Sequence, residues 1–481
     1  VTPAGLSNST PAEAKAASAG VPGDWSKIAM IEASRFDPAV AYVAVDRHRL
    51  DDQTPYIYRT RDYGKSWQPI ANGIAANAFV NAIREDTEKK GLLFAGTELG
   101  IYVSFDDGDH WQSLQLNLPV TSVRDITIHG DDLIVATYGR SFWILDDITL
   151  LRQVNPQSPA ANAQLYKPAT AIRVDNDGFL GSPLPPEEPT AKNPPDGAIV
   201  DYYLPSAAKS LTLEISDSSG KLVRRFTSGQ KKEPPHPPLA TAERWLAKPV
   251  VLENTAGTHR FVWDLRWGNS GANPATEDVW EEGFGAPRGP RAAPGNYQLK
   301  LTLDGNALTQ PLKVEMDPRS QATAAELNEQ LRLALEMFAD VRNSRKALAE
   351  IAAVKKRLSE IEAQSLKQHP DLLSQVTELE SAIGKIEKGE RTMPGSISGL
   401  EAASTGLGAA LRVVEGSDRT VPSQVVDLYR AANQVASAGI AAWTQLKGSR
   451  LAKLNDALQK AGVATIQISA IEREVEYLMS Q

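Results

Sequence analysis

The sequence predicts a multidomain chain, β first and α last: a partial β-propeller, an Ig/FnIII-like β-sandwich and a C-terminal antiparallel helical bundle. Three observations predict it. An eight-residue pattern, Ser/Thr-x-Asp-x-Gly-x-x-Trp, occurs at 60–67 and again at 104–111, its two Asp residues 44 positions apart, the length of one four-stranded propeller blade. From Ala198 onward, apolar residues alternate in short runs bounded by Gly, Pro, Asp and Ser, the pattern of sheets covered on one face. After Asp317-Pro318 the apolar spacing changes to three and four, that of amphipathic helices.

Length and composition bound these expectations. The 481 residues exceed what one hydrophobic core usually serves, so about two to four domains are expected. An apolar share of 42% is ordinary for a globular protein. A net charge of −8, from 51 basic and 59 acidic residues, lacks the excess of Lys and Arg that a nucleic-acid binder carries, so no nucleic-acid partner is expected. Cysteine is absent, which removes disulfides, thiolate metal sites and thiol nucleophiles together. Such a chain suits the cytosol or a bacterial envelope and not a disulfide-stapled secreted domain. No apolar run approaches the roughly 20 residues of a membrane span. The chain starts at Val1 with neither Met nor a signal peptide, so it is expected to be a processed product or a fragment.

Residues 1–24, rich in Ala, Ser, Gly and Pro, read as a surface loop without a core of its own. Residues 25–152 read as the last two to three blades of the propeller. The first copy has strands at 28–31, 41–45 and 56–60, and the second at 79–83, 92–96 and 101–104. In each eight-residue pattern a hydroxyl residue (Thr60, Ser104) ends a strand and an Asp (Asp62, Asp106) folds back onto backbone N–H groups. The Gly (Gly64, Gly108) then takes a positive φ, and the Trp (Trp67, Trp111) starts the next strand by packing across the hairpin. The pattern is thus a turn staple, structural and not catalytic. A third, degenerate copy runs through 123–128, 133–136 and 141–147, with Asp146 40 positions after Asp106 and the terminal Gly and Trp gone. Closing a propeller takes at least about four blades, so two or three would leave strand edges and blade faces open to water. The missing N-terminal blades are expected upstream, in a longer precursor or in a separate chain that completes the ring.

Residues 153–198, densest in Pro at 183–186 and 194–195, read as an extended, wrapping linker. Asp175-Asn176-Asp177-Gly178 within it matches the start of a calcium loop, but later ligands are not at the required spacing and a plain turn is expected. Residues 199–317 read as the sandwich, with strands at 199–204, 210–215, 222–226, 259–263 and 296–303 and a Gly/Pro-rich insertion at 268–292. Residues 318–481 read as the bundle. Thr323-Ala324-Ala325-Glu326 is a capping box that opens a helix running to about Ile361. Further helices are expected from near Pro370, from Gly399 to Val414 and from Pro422 to Leu458. The stretch 466–478 suits a strand or a fifth helix equally.

The chain contains no H-E-x-x-H, P-loop, G-x-G-x-x-G or G-x-S-x-G pattern, and its six histidines lack partners at ligand spacing, so no cofactor and no metal site is expected. His110 reads as a turn residue. Glycoside hydrolysis needs two carboxylates across a cleft. Asp62 and Asp106 belong to turns, and Asp51, Asp52, Asp107, Asp146 and Asp147 to blade edges, so no catalytic residue is expected here.

The candidate ligand loop is Arg47-His48-Arg49-Leu50-Asp51-Asp52, an insertion between two strands of the first blade, since propellers bind ligands with such loops. Arg47, Arg49 and Arg140 suit a carboxylate or sulfate held through charge-assisted bonds. A solvated loop stitched by its own ion pairs is the commoner use of such residues. Trp267, Trp280 and Phe284 suit an aromatic platform for sugar rings, although such residues more often pin a long insertion to its sandwich.

The two eight-residue patterns resemble the Asp-box (BNR) hairpins of β-propellers of the sialidase, sortilin and xyloglucanase type. Together with 91–98, 114–119 and 136–147, they resemble the C-terminal part of bacterial exported proteins labelled BNR-repeat glycosyl hydrolases or sortilin (VPS10)-like. The resemblance implies an N-terminal propeller, a signal peptide and an extracellular or periplasmic location. Its hydrolase label rests largely on fold. The arginine triad and Tyr/Glu pair of sialidases and the paired aspartates of xyloglucanases have no match in this sequence. Two readings follow. One is an exported, non-catalytic binding or scaffolding protein whose propeller recognises peptide or glycan; the other is the C-terminal portion of a glycoside hydrolase with its catalytic residues upstream.

Overall fold

The computed structural model describes residues 25–154, 161–174, 194–229, 251–268, 289–365, 369–390 and 396–480, and the chain divides into two units, Val1–Asn162 and Ala163–Gln481. The opening loop, the 175–178 turn, Trp280 and Phe284 lie outside the described residues.

The first unit is built from three antiparallel sheets in which each strand pairs with its neighbour in sequence. The first holds β1 (Lys27–Ala33), β2 (Ala41–Arg47), β3 (Asp52–Thr60) and β4 (Gln68–Pro69). The second holds β5 (Val80–Glu85), β6 (Leu93–Thr97), β7 (Gly100–Ser104) and β8 (Gln112–Ser113). The third has only β9 (Val123–His129), β10 (Asp132–Thr137) and β11 (Phe142–Leu145).

The sheets pack face to face through two cores. Tyr42, Ala44 and Ile57 of the first sheet meet Val80, Ile83, Leu93 and Ala95 of the second. Phe94, Ile101 and Val103 on the far side of the second meet Val123, Ile126, Leu133 and Val135 of the third. The second sheet is therefore buried on both faces, which is why its middle strand reads as an unbroken apolar run. Gly96 lets the second and third sheets approach closely: a Cβ there would stand 2.6 Å from Val123 Cγ1.

The expected open blade faces are found in part. On the outward face of the first sheet Val43, Val45 and Tyr58 are fully buried, with Ile28, Tyr56 and Trp67 packed against them, while Ile31, paired with Val43, is 47% exposed. Exposure is greater on the third sheet, where Phe142 and Ile144 are 75% and 57% exposed. In place of an outer strand that sheet leads into the short helix α1 (Thr149–Gln153). Asp147 accepts the Thr149 N–H at 3.0 Å, and Arg152 of α1 returns to Asp86 at 3.0 Å and to Glu88 at 3.1 Å.

The second unit begins with two sheets around one core. The smaller has the order β12 (Gln164–Leu165), β14 (Ala198–Leu204), β17 (Gly257–Trp263). The larger has the order β13 (Ala171–Arg173), β19 (Asn306–Met316), β18 (Gly295–Leu303), β15 (Leu211–Asp217), β16 (Leu222–Thr227). Val200, Tyr202, Phe261 and Trp263 of the one pack with Leu213, Ile215, Leu299 and Leu301 of the other, and Trp267 is buried in the same cluster.

The five expected strands are joined by three more. β12 and β13 come from the stretch read as a linker, β13 lying parallel to β19. β19 follows a turn in which Asp304 and Gly305 both take positive φ, 45° and 91°.

The helices are α2 (Ala324–Ser365), α3 (Pro370–Lys388), α4 (Gly399–Glu415), α5 (Ser423–Leu446), α6 (Ala452–Lys460) and α7 (Ile468–Ser480), with a π-helical turn, Lys447–Leu451, joining α5 to α6. The 466–478 stretch is thus helical from Ile468. At the start of α2 the capping box closes both ways: Glu326 Oε2 accepts the Thr323 N–H at 2.8 Å, and Thr323 Oγ1 accepts the Glu326 N–H at 3.3 Å.

Within this unit a buried arginine ties sheet to helices. Arg173 Nη2 lies 2.6 Å from Asp418, just beyond α4, and Arg173 Nη1 donates to the Ala292 carbonyl at 2.7 Å. Gln330 of α2 completes the junction, its amide donating to the Ser417 carbonyl at 2.8 Å.

Candidate functional site

The two eight-residue turns have the same hydrogen bonds, position by position. Asp62 Oδ1 accepts the Ser66 N–H at 2.9 Å, and Asp106 Oδ1 accepts the His110 N–H at 2.9 Å. Thr60 Oγ1 and Ser104 Oγ each accept the glycine N–H, of Gly64 and Gly108, at 2.9 Å. The residue before the glycine takes positive φ in both, 61° at Tyr63 and 62° at Asp107.

The Ser66 hydroxyl and N–H hold the Asp62 carboxyl down at about 2. Burial pushes Asp106 the other way, but the His110 ring, 2.7 Å distant, and the backbone N–H outweigh it and keep its pKa below the ordinary value. Both carboxylates are saturated by their own turns. The tryptophans differ: Trp111 is buried and its Nε1 donates to the Ile70 carbonyl at 2.6 Å, whereas Trp67 lies over the outer face of the first sheet.

Up-and-down strand order puts these turns at one end of the sheets and the β2–β3, β6–β7 and β10–β11 hairpins at the other, together with the connections that enter β5 and β9. At that second end the elements touch in sequence. The His48 ring stacks on Phe79 at 4.6 Å, and the Phe79 carbonyl accepts the Glu98 N–H at 3.0 Å. Glu98 Oε2 accepts from Ser122 Oγ at 2.7 Å and lies 3.4 Å from Arg124. Arg124 donates to Asn81 Oδ1 at 3.2 Å and sits 5.4 Å from the centre of the exposed Tyr138 ring. The Asn81 side chain is buried, and its Nδ2 has no hydrogen-bond partner among the described residues. Because an arginine can only donate, it is the Asn81 oxygen that faces Arg124, leaving the amide N–H groups unsatisfied.

The residues of the sequence-predicted loop are placed as follows. Arg47 pairs with Asp52 at 3.0 Å and donates to Ser26 Oγ at 2.8 Å. Asp52 also accepts from Tyr56 at 3.0 Å. Asp51 takes positive φ, 59°, closing the short 3-10 turn His48–Leu50. His48 Nδ1 lies 2.6 Å from buried Asp46. Burial of Asp46 favours its neutral form, but the His48 N–H and ring overcome this and lower its pKa. Arg49 and Arg140 are exposed, and the Arg140 carbonyl accepts Trp143 Nε1 at 2.9 Å.

The structure thus brings His48 to the polar end of the sheets while Arg47 is engaged by Asp52 of its own loop and by Ser26. Sequence reasoning missed Asn81, Glu98, Ser122 and Arg124. The available signal was positional: Glu98 occupies in the second copy the hairpin that Arg47 to Asp52 occupy in the first.

In the second unit a groove of about 430 Å³ between α2 and α5 is lined by Asp340, Glu350, Trp443 and Lys447. Its buried carboxylate, Glu350, is engaged by Trp443 Nε1 at 2.8 Å and Lys447 at 2.7 Å. Among the described residues no group of three His, Asp or Glu side chains is placed to hold a metal ion, and no helix is long and apolar enough to cross a membrane.

No family model and no curated protein matches the chain. Solved structures similar to part of it include the GH74 xyloglucanase of Xanthomonas campestris, at 14% identity and a TM-score of 0.22, covering 32% of this chain and 26% of that one. YCF48 bound to D1 peptide is similar at 14% identity and a TM-score of 0.20, covering 41% of this chain and 52% of that one. The GH74 enzyme of Niastella koreensis is similar at 11% identity and a TM-score of 0.22, covering 59% and 46%. The chain therefore spans about half or less of the length of these proteins.

Proposed function

We propose that the first unit is a non-catalytic recognition module, part of an exported Asp-box propeller, and that it binds an extended peptide at the end of the sheets bearing Asn81, Glu98 and Arg124. One observation carries the reading: the buried Asn81 Nδ2 has no partner among the described residues, and it belongs to an array of donors and acceptors beside an exposed aromatic ring. A buried amide donor without an acceptor costs about 1–3 kcal/mol, a cost that a ligand carbonyl would relieve. Glu98 and Arg124 supply an acceptor and a cation flanking it, which suits the alternating carbonyl and N–H groups of a peptide main chain. Export to the periplasm or beyond belongs to the same reading and rests on the Asp-box resemblance.

The hydrolase alternative has less support in this chain, because the carboxylates of the two turns, Asp62 and Asp106, are engaged by turn hydrogen bonds. Selection of random peptides displayed on phage against the immobilised full chain tests the proposal. Enriched peptides are expected to lose about tenfold in affinity on Arg124→Ala and on Asn81→Leu. Turnover of xyloglucan or of a sialoside, abolished by substitution of a single carboxylate in the upstream blades, would establish the alternative.

A further inference from the structure

The pairing registers of the three sheets superimpose, and the third offers a receiving face that the other two have already filled. In the first sheet Tyr42 pairs with Arg59 and Ala44 with Ile57, and these four side chains face the second sheet. In the second sheet Phe94 pairs with Val103 and Gly96 with Ile101, facing the third. At the corresponding places of the third sheet Ile134 pairs with Ile144 and Ala136 with Phe142.

Each sheet therefore presents one large pair beside a small residue, Ala or Gly, set opposite a large apolar one. In the first two sheets the small residue makes the hollow in which the next sheet sits, and Val123 in contact with Gly96 shows how. In the third, Ala136 lies between side chains left 75% and 57% exposed. Large apolar groups side by side in water mark a surface made to be covered.

We infer that this face of the third sheet is the docking surface for a further four-stranded antiparallel sheet of the same kind, one that sets a β-branched side chain on Ala136 as Val123 is set on Gly96. The occupant follows from continuity: the two interfaces already present use these positions, and they join unlike faces, the small-residue face of one sheet receiving the β-branched face of the next. Two copies of this chain meeting through the third sheet would place like on like, Ala136 against Ala136, and leave the hollow unfilled. This inference rests on reading the first unit as part of a ring.

Photo-crosslinking of the full chain in the cell that makes it, with p-benzoylphenylalanine in place of Phe142, tests it, the crosslinked peptide being read by mass spectrometry. The expected product joins position 142 to a strand of a sheet that carries its own Ser/Thr-x-Asp-x-Gly-x-x-Trp turn. Ala136→Phe, which fills the hollow from a half-buried position, is expected to cut the yield about tenfold. Arg124→Ala is expected to leave the yield unchanged, so that loss of ligand binding and loss of docking are told apart. A crosslink to position 142 of a second copy, to a peptide without that pattern, or to no polypeptide at all would overturn the inference.

Discussion

Arg59 of the first sheet reaches Asp107 in the turn of the second, Nη1 to Oδ2 at 3.1 Å, with its own side chain 2% exposed. The same guanidinium donates to Gln68 at 3.1 Å and meets Asp109 at 3.1 Å, and the Tyr42 hydroxyl donates to Asp107 as well. Burial and then the Asp107 carboxylate push the Tyr42 phenol far above its usual pKa, so it remains a donor throughout the ordinary pH range. A turn that looks local in sequence is therefore clamped from the neighbouring sheet. Arg59→Leu removes the bonds to Asp107, Asp109 and Gln68 while Arg61 and Tyr42 remain on Asp107, and it is expected to lower the stability of the first unit by about 2 kcal/mol in urea denaturation. Asp107→Asn is expected to cost less, because Asp107 is partly open to water.

Contact between the second and third sheets depends on the missing side chain at Gly96. Gly96→Ala drives a Cβ to 2.6 Å from Val123 Cγ1 and is expected to cost about 2 kcal/mol, an overpacking penalty. Val123→Ala makes room at the same spot. The double variant is expected to be destabilised by clearly less than the sum of the two single changes, and strict additivity would argue against that contact.

The eight-residue turns make a pH prediction. Asp62 has a folded pKa of about 2, held down first by the Ser66 hydroxyl, against an ordinary value of 3.8. A carboxyl with a depressed folded pKa stabilises the fold fully above its unfolded value, and that contribution fades as pH falls through the folded one. Side-chain carboxyl NMR is expected to show Asp62 titrating near pH 2, and a midpoint near 4 would contradict the hydrogen bonds described. For the other turn, Asp106→Ala removes the bonds to His110 and Ser104 and is expected to cost about 2 kcal/mol while leaving peptide affinity unchanged.

In the second unit the pair Arg173 and Asp418 is buried on both sides, 3% and 5% exposed. Asp418→Leu leaves the guanidinium without its carboxylate and is expected to destabilise this unit by about 3 kcal/mol. A melting transition of unchanged midpoint would mean that sheets and helices are held together by other contacts.

The strands of the first unit were legible because β-period alternation and the staple turns agree: the hydroxyl, Asp, Gly and Trp of each pattern stand at the ends of strands that pair as expected. The helical starts were legible for the same reason, the capping box at Thr323 and Glu326 preceding a regular apolar stripe. β19 was not, since Pro311 and outward polar residues break its apolar pattern, and its place is fixed by pairing with β18. The helix α7 was ambiguous because Ile466, Ile468, Ile471 and Val475 satisfy short runs of either period. At the site, composition drew attention to Arg47, Arg49 and Arg140, yet charge density along a chain does not tell whether an arginine is already paired, and Arg47 is. Asn81, Glu98 and Arg124 are ordinary residues in three separate elements, and only the register of the sheets assembles them.

The most direct measurement is the NMR response of the Asn81 side-chain amide in the full, isotope-labelled chain as a selected peptide is added. A downfield shift of that amide, with the Arg124 guanidinium moving alongside it and the Ser66 and His110 amides staying in place, is the predicted result. Movement of the Ser66 and His110 amides with a silent Asn81 would put recognition at the opposite end of the sheets and contradict the account.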